Sequence, residues 1–356
     1  MKVLIVADWH GSEIYAEVFK AGFESLGCET MRFSWKEYFH HYQYPDRYPT
    51  NNNAFASIYY RAQNKFLFGP EIKKINSDLV LSVEKFKPNL VFVYRGTHIL
   101  PKTLKSIRAM GATVFGYNND DPFSLRYPKY VWRHFIRGLK EYDHIFSYRW
   151  KNIEEYTSFG VKSVSLLRSY YTKERNFLIN EDKDLRDHDV IFIGHFENDG
   201  RDDMLLSLLK LNYNVKVFGT GWNKSIKYEE LVELNGPIHP VYDDYNLLLN
   251  STKIALVFLS KLNRDTYTRR CFEIPAAGAL MISEYTDDLN NLFSEGTDCD
   301  YFRNESELLK KVKFYLENKH ILKEVANRGH KRVLSDGHEV IDRVEEVLNK
   351  YKELVD

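Results

Sequence analysis

The feature that most constrains the fold is a cadence. Short, almost wholly apolar runs recur along the chain, each followed by a polar loop and then by a segment with helical spacing. The first run, Val3-Leu4-Ile5-Val6-Ala7, leads through Asp8-Trp9-His10-Gly11-Ser12 to Ile14, Val18, Phe19, Phe23 and Leu26. Unbroken apolar runs of this length suit parallel strands, because helices cover both faces of a parallel sheet. The pattern returns at Leu90–Tyr94, Thr113–Tyr117 and His144–Ser147, and again at Asp189–Gly194, Val215–Gly219, Ile254–Phe258 and Ala279–Ser283. Strand and helix alternating in this way predict an α/β chain built on doubly wound parallel sheets. Residues 36–70, rich in Tyr, Asn and Phe, break the first series and are expected to form an irregular insertion with some helix.

The cadence stops once more, over 166–187, where Arg168, Lys173, Glu174, Arg175, Glu181, Asp182, Lys183 and Asp184 leave no apolar period. This stretch is expected to be an interdomain linker. It separates a first Rossmann-like domain, 1–165, from a second, 188–337, with a helical tail at 338–356. A chain of 356 residues accommodates two domains of ordinary size. Open α/β sheets bind ligands beyond the carboxyl ends of their strands, so two such domains predict a site in a central cleft between them.

Charge and cysteine usage narrow the function. Lys and Arg number 50, as do Asp and Glu, so the chain has no basic excess for gripping a nucleic-acid backbone. Cys28, Cys271 and Cys299 are widely spaced and form no CxxC pair, which argues against a zinc ribbon or a disulfide framework. A reduced, cytoplasmic protein is expected. The apolar start is too short for a signal peptide, and no run approaches the ~18 residues of a membrane span. Peripheral membrane contact stays open. Asp120-Asp121 is a pair and not a D-x-D, so no metal site is expected.

The most informative stretch is 261–285. Arg269 and Arg270 stand at the mouth of an expected helix over 269–277, and Glu273 falls in its first turn. Arginines beside free helical N–H groups suit a diphosphate, and a carboxylate there accepts from paired sugar hydroxyls. The competing reading is a carboxylate favoured by the helix terminus beside solvated arginines. In the first domain, His10, Gly11, Arg95, His98, Asp120 and Asp121 follow strands and would face an acceptor, with His10, His98, Asp120 or Asp121 serving as a general base if the reaction inverts. Against this, Asp120-Asp121 suits a turn before Pro122, and loop histidines are commonly idle. Trp222, after Gly219 and Gly221, suits either a base pocket or the core.

The run Arg270-Cys271-Phe272-Glu273-Ile274-Pro275-Ala276-Ala277-Gly278 resembles the R-x-F-E-x-P-A-x-G signature of the CgeB-like glycosyltransferases, within the group-1 glycosyltransferases of GT-B fold. Phe293-Ser294-Glu295-Gly296, Glu305-Ser306-Glu307-Leu308 and Asn327-Arg328-Gly329-His330-Lys331-Arg332-Val333 follow in that family's order. Val190–His195 with Arg201, and Val217–Trp222, resemble the start of its second domain; Tyr117–Phe123 resembles an acceptor-side loop. The resemblance implies that Glu273 holds the ribose hydroxyls and that Asp265, eight positions earlier, contacts the donor sugar where the family usually carries Glu. It implies Arg201, Arg270 and the Gly194-His195 turn at the donor diphosphate. It also implies that the last helix packs back on the first domain.

The function implied is transfer of a sugar from a nucleotide-diphosphate sugar to a hydroxyl of a glycan or glycoconjugate, without a cofactor or catalytic metal, as in polysaccharide biosynthesis. Two rivals stand beside it: glycosyl transfer to modified bases in DNA, and a non-catalytic two-domain protein that closes on a ligand.

Overall fold

The computed structural model describes residues 1–8, 15–39, 54–179 and 186–355. His10 and Gly11 lie outside the described residues. The chain divides into two compact units, Met1–Arg168 with Val340–Asp356, and Ser169–Glu339.

In the first unit, β1 (Lys2–Ala7), α1 (Ala16–Ser25), β2 (Glu29–Ser34), α2 (Ala54–Phe66), α3 (Pro70–Phe86), β3 (Leu90–Tyr94), α4 (Pro101–Ala109), β4 (Thr113–Asn118), α5 (Arg133–Gly138), β5 (His144–Ser147), α6 (Trp150–Ser158) and β6 (Val164–Leu166) follow in order. All strands are parallel, in the order β2-β1-β3-β4-β5-β6. Val3 to Ala7 and Leu90 to Val93 are wholly buried, as strands covered on both faces must be. Two strands escape the sequence pattern. Edge strand β2, Glu-Thr-Met-Arg-Phe-Ser, buries only its last two residues, and β6 has three half-buried residues. An edge strand needs no continuous apolar run, so neither shows the signal that marks the interior strands.

In the second unit, β7 (His188–Ile193), α7 (Arg201–Leu209), β8 (Val215–Phe218), α8 (Tyr228–Asn235), α9 (Tyr245–Asn250), β9 (Thr252–Val257), α10 (Arg270–Ala276), β10 (Leu280–Glu284), α11 (Asp287–Leu292), β11 (Asp300–Phe302), α12 (Glu305–Glu317) and α13 (Lys319–Ser335) build a second parallel sheet. Its order is β11-β10-β9-β7-β8. In both sheets the first strand lies between the second and third, so the winding reverses beside β1 and beside β7. The carboxyl ends of β1 and β3, and those of β7 and β9, therefore border the crevice where such sheets take ligands.

The stretch 166–187 is not wholly a linker. Residues 169–179 fold with the second unit: Tyr171 N–H donates to His338 O at 3.0 Å, and Phe177 N–H to Asn246 Oδ1 at 3.3 Å. Backbone N–H groups of the segment make these bonds, which need no apolar period. The last helix, α14 (Val340–Val355), belongs to the first unit. It buries Val340, Val344 and Val347. It meets α1 so closely that a Cβ on Gly22 would stand 2.7 Å from Val344 Cγ2.

Candidate functional site

In the second unit, the loops after β7 and β9 carry most of the candidate donor residues. The first is braced by Arg201 at the start of α7. Its buried guanidinium pairs with both oxygens of Asp199, through Nε at 2.8 Å and Nη2 at 2.7 Å. Nη1 donates to the carbonyl of His195 at 3.0 Å. A bidentate pair of this kind fixes geometry as well as charge. Arg201 thus spends its donors on the protein, holding the loop in shape.

Glu197 ties that loop to the next one. It accepts from His195 Nε2 at 3.1 Å and from the backbone N–H of Lys261, also at 3.1 Å. Burial alone would raise its carboxyl. Bonds from His195 and Ser260, with the charge of Arg201, outweigh burial and bring it down to about 2. The His195 ring itself is largely exposed.

Gly194 makes a close backbone approach, but to protein. The carbonyl of Gly194 accepts from Trp222 Nε1 at 3.0 Å. A Cβ on Gly219 would sit 1.9 Å from the same oxygen, and Gly219 has φ +137, where only glycine is at ease. Trp222 is 2% exposed and packs edge-on against Phe192. Expected as a donor-site residue, it is a core residue whose ring nitrogen satisfies Gly194.

The loop after β9 contains Asp265, whose N–H donates to the carbonyl of Ser260 at 2.9 Å. It runs into the seven-residue α10, where Glu273 lies in the first turn and is 3% exposed. Arg269 Nε lies 2.7 Å from Glu273 Oε1, and the Tyr245 hydroxyl donates to Oε2 at 2.9 Å. Burial, then the Glu273 carboxylate, push the Tyr245 phenol well above its ordinary range, so it stays a donor. Next to this pair, Arg270 holds a buried Nε with no hydrogen-bond partner. Burial pushes the neighbouring Cys271 thiol up to about 12, which rules it out as a thiolate nucleophile. The rest of the signature packs: the carbonyl of Pro275 bonds His330 Nδ1 at 2.9 Å, and a Cβ on Gly278 would stand 2.7 Å from Leu178 Cδ1.

In the first unit, Arg95 follows β3 with a left-handed φ of +61. Its Nε pairs with Asp120 Oδ2 at 3.0 Å, and its guanidinium lies over the Trp132 ring. Burial would lower Arg95, but Asp120 and Asp8 more than offset it. Asp121 is fully buried and accepts from the Phe123 N–H and from Asn152 Nδ2, both at 3.0 Å. It caps the turn before Phe123, which is the turn chemistry that Asp before Pro122 allows. Asp120 is the more accessible of the pair.

His98 is buried, stacked on Trp35, and bonded through Nδ1 to Thr97 Oγ1 (3.0 Å) and through Nε2 to Asn64 Oδ1 (2.7 Å). Burial, with Arg95 and His134 nearby, lowers it to about 3, so it stays neutral. Asp8, Arg95, Thr97 and His98 line a cavity of about 460 Å³ at this unit's winding reversal. Among the described residues no three His, Cys, Asp or Glu side chains gather as metal ligands.

Tyr245, Glu197 and Asp199 are absent from the sequence-level candidates. Tyr245 lies 28 positions from the carboxylate it serves, and no local pattern links the two.

Residues 201–349 match a family model described as glycosyl transferase-like. No curated protein sequence matches the chain significantly. Among solved structures, HepE of Anabaena in complex with UDP-glucose superposes with a TM-score of 0.69 at 10% identity, over 99% of this chain and all of that one. Sucrose-phosphate synthase of Thermosynechococcus elongatus gives 0.69 at 10% identity over 99% of each chain. A glycosyltransferase of Rickettsia africae gives 0.66 at 12% identity, over all of this chain and 98% of that one. At such identities the superpositions establish the architecture, two Rossmann-like parallel-sheet domains with a helical C-terminus. The family match marks residues 201–349 as glycosyl transferase-like, and the superpositions give the whole chain the GT-B architecture.

Proposed function

We propose that the chain transfers a glycosyl group from a UDP-sugar, or a closely related nucleotide-diphosphate sugar, to a hydroxyl of a glycan or glycoconjugate. The proposal includes a CgeB-like lineage, a role in polysaccharide biosynthesis in the cytoplasm, and chemistry without a catalytic metal. The second unit would hold the donor and the first unit the acceptor.

The observation that carries this reading is the trio of Glu273, Arg269 and Arg270 beyond the carboxyl end of β9. Glu273 is buried, with one oxygen facing Arg269 and the other facing Tyr245. A carboxylate oxygen has two acceptor sites, so each retains room for a ribose hydroxyl. Arg270 brings a cationic side chain whose buried Nε has no partner, and a diphosphate oxygen would satisfy it. The UDP and UDP-glucose bound to HepE support UDP as the first nucleotide to test.

In the reaction an acceptor oxygen bonds to the anomeric carbon as the bond from that carbon to the diphosphate breaks. The hydroxyl proton passes to a base or to the departing phosphate. The sugar acquires oxocarbenium character, and negative charge grows on the leaving group. Arg270 is the group placed to meet that charge. Asp265 is assigned to the donor sugar. Arg201 shapes the Gly194–His195 loop against which the diphosphate would rest. On the acceptor side, Asp120 is the carboxylate available as a base, held and oriented by Arg95, while Asp121 supports the turn.

Calorimetry with UDP, GDP, dTDP, CMP and ADP tests the donor. One nucleotide should bind wild type, and Glu273→Ala should lose it. Binding of none to a folded wild type would favour a non-catalytic protein.

A further inference from the structure

The first unit holds a second cavity of about 460 Å³, apart from the one at its winding reversal. The end of β2, a turn of 3-10 helix at Lys36–Phe39, α2 and α3 form its walls. The sequence of α3 explains the wall it supplies. Ile72, Ile75, Leu79 and Val83 are its buried stripe. Glu71, Lys74, Asp78 and Ser82 recur at the same three- and four-residue spacing, so they share an adjoining polar face, and that face lines the cavity.

The lining mixes rings, donors and acceptors. The Tyr38 hydroxyl donates to Asp78 Oδ2 at 2.7 Å. Burial, then the bond to Asp78, hold that phenol above its ordinary range, so it stays a donor. A carboxylate has about four acceptor sites, so Asp78 keeps others beyond the one that Tyr38 takes. The Lys74 ammonium stands 5.8 Å from the centre of the Tyr38 ring, and Tyr60 adds a second ring to the wall.

That chemistry suits a neutral sugar. Each sugar hydroxyl both donates and accepts, and the C–H faces of the ring pack on aromatic side chains. Among the described lining residues, three carboxylates, Glu37, Glu71 and Asp78, oppose two cations, Arg32 and Lys74, which disfavours a phosphate. An apolar ligand would strip water from those charges without replacing its hydrogen bonds. The position of the cavity matters as much. Ser34 and Glu37 line it, while Trp35 and Lys36, between them in the chain, line the cavity at the winding reversal. On α2, Tyr60 borders the second cavity and Asn64 the first, one turn or about 6 Å along the helix. The two cavities are neighbours that share two walls.

We propose that the second cavity is a carbohydrate subsite, which holds an inner sugar of the acceptor while the end to be extended lies in the first cavity, near Arg95 and Asp120. The acceptor is then a neutral oligosaccharide chain and not a single sugar. Glu71 and Asp78 accept from its hydroxyls, Lys74 donates to them, and the Tyr38 and Tyr60 rings flank it. This inference rests on the reading that the first unit takes the acceptor.

The test is binding of the full chain to an array of neutral and acidic glycans, each present as the monosaccharide and as longer oligosaccharides, followed by calorimetry on the glycans retained. Wild type should retain neutral oligosaccharides in preference to their monosaccharides. Glu71→Ala/Lys74→Ala removes polar partners, and should weaken that binding by about tenfold or more. Ser82→Trp fills the cavity and should weaken it as much. None of the three side chains is fully buried, so both variants should stay folded by thermal unfolding and keep wild-type affinity for UDP. A wild type that binds UDP and retains no oligosaccharide overturns the subsite, and so does equal retention by the two folded variants. A preference for acidic glycans, or for monosaccharides, overturns it as well. Failure of the donor reading shows separately, as absence of UDP binding in a chain that still retains oligosaccharides.

Discussion

Arg269 and Glu273 face each other one helical turn apart, the guanidinium Nε 2.7 Å from a carboxylate oxygen that is almost wholly buried. The pair straddles the start of α10, so the carboxylate that would take ribose is oriented before any ligand arrives. The Tyr245 hydroxyl fixes its second oxygen.

Glu273→Ala should weaken UDP binding by one to two orders of magnitude, through loss of charge-assisted hydrogen bonds worth about 1.5–3 kcal/mol. It should also lower the unfolding temperature, because the Tyr245 hydroxyl loses its acceptor. Tyr245→Phe separates the two effects. It keeps the Arg269–Glu273 pair and should cost about 1 kcal/mol of stability while largely preserving affinity. Calorimetry and thermal unfolding on both variants read the difference. Equal loss of affinity in both would contradict the ribose role.

Asp199 matters through Arg201. Asp199→Ala leaves a guanidinium at 3% exposure without its bidentate partner. Breaking one side of a buried pair typically costs about 3–5 kcal/mol. Urea unfolding should show that loss. Removal of both partners, Asp199→Ala with Arg201→Met, should recover part of it.

Gly219 admits no side chain. Gly219→Ala puts a Cβ against the Gly194 carbonyl at a φ that only glycine adopts easily. Strain and overpacking together should cost at least about 3 kcal/mol. Gly221→Ala, whose Cβ would meet nothing within 4 Å, pays only for its left-handed backbone and should cost less. Equal losses in the two variants would remove the close approach as the cause.

His98 makes stability depend on pH. Its folded pKa of about 3 lies below the ordinary histidine value, so the unfolded chain binds the extra proton first as pH falls. Stability from this group is fully present above pH ~6.5 and declines toward pH 3, by up to about 1.4 kcal/mol per pH unit. His144, lowered to about 4 by burial and by Lys350, adds the same sign over a narrower window. Between pH ~6.5 and ~4.5 ordinary carboxylates contribute little, so the slope there reports the histidines. Equilibrium unfolding of His98→Gln should show a shallower slope across that window.

The interior strands and the α10 signature were legible because each depends on local order. A strand buried on both faces must be apolar throughout, and a short helix bearing Glu273 just after two arginines is contiguous in sequence. Edge strands β2 and β6 were not legible, since half-exposed backbone pairs do not require apolar side chains. Trp222 shows the limit at a single residue. Its neighbours Gly219 and Gly221 fit a ligand pocket or a packed core equally well, and only the position of the Gly194 carbonyl decides for the core.

The sequence alone therefore determined the α/β class, the two-sheet architecture and the position of Glu273, because those follow from periodicity and from residues close together in the chain. The partners of that carboxylate, the internal use of Arg201 and the division of labour between Asp120 and Asp121 were decided by tertiary structure. Each depends on which distant groups share a buried volume. Desolvation and hydrogen-bond satisfaction set those outcomes, and both act through space without regard to distance along the chain.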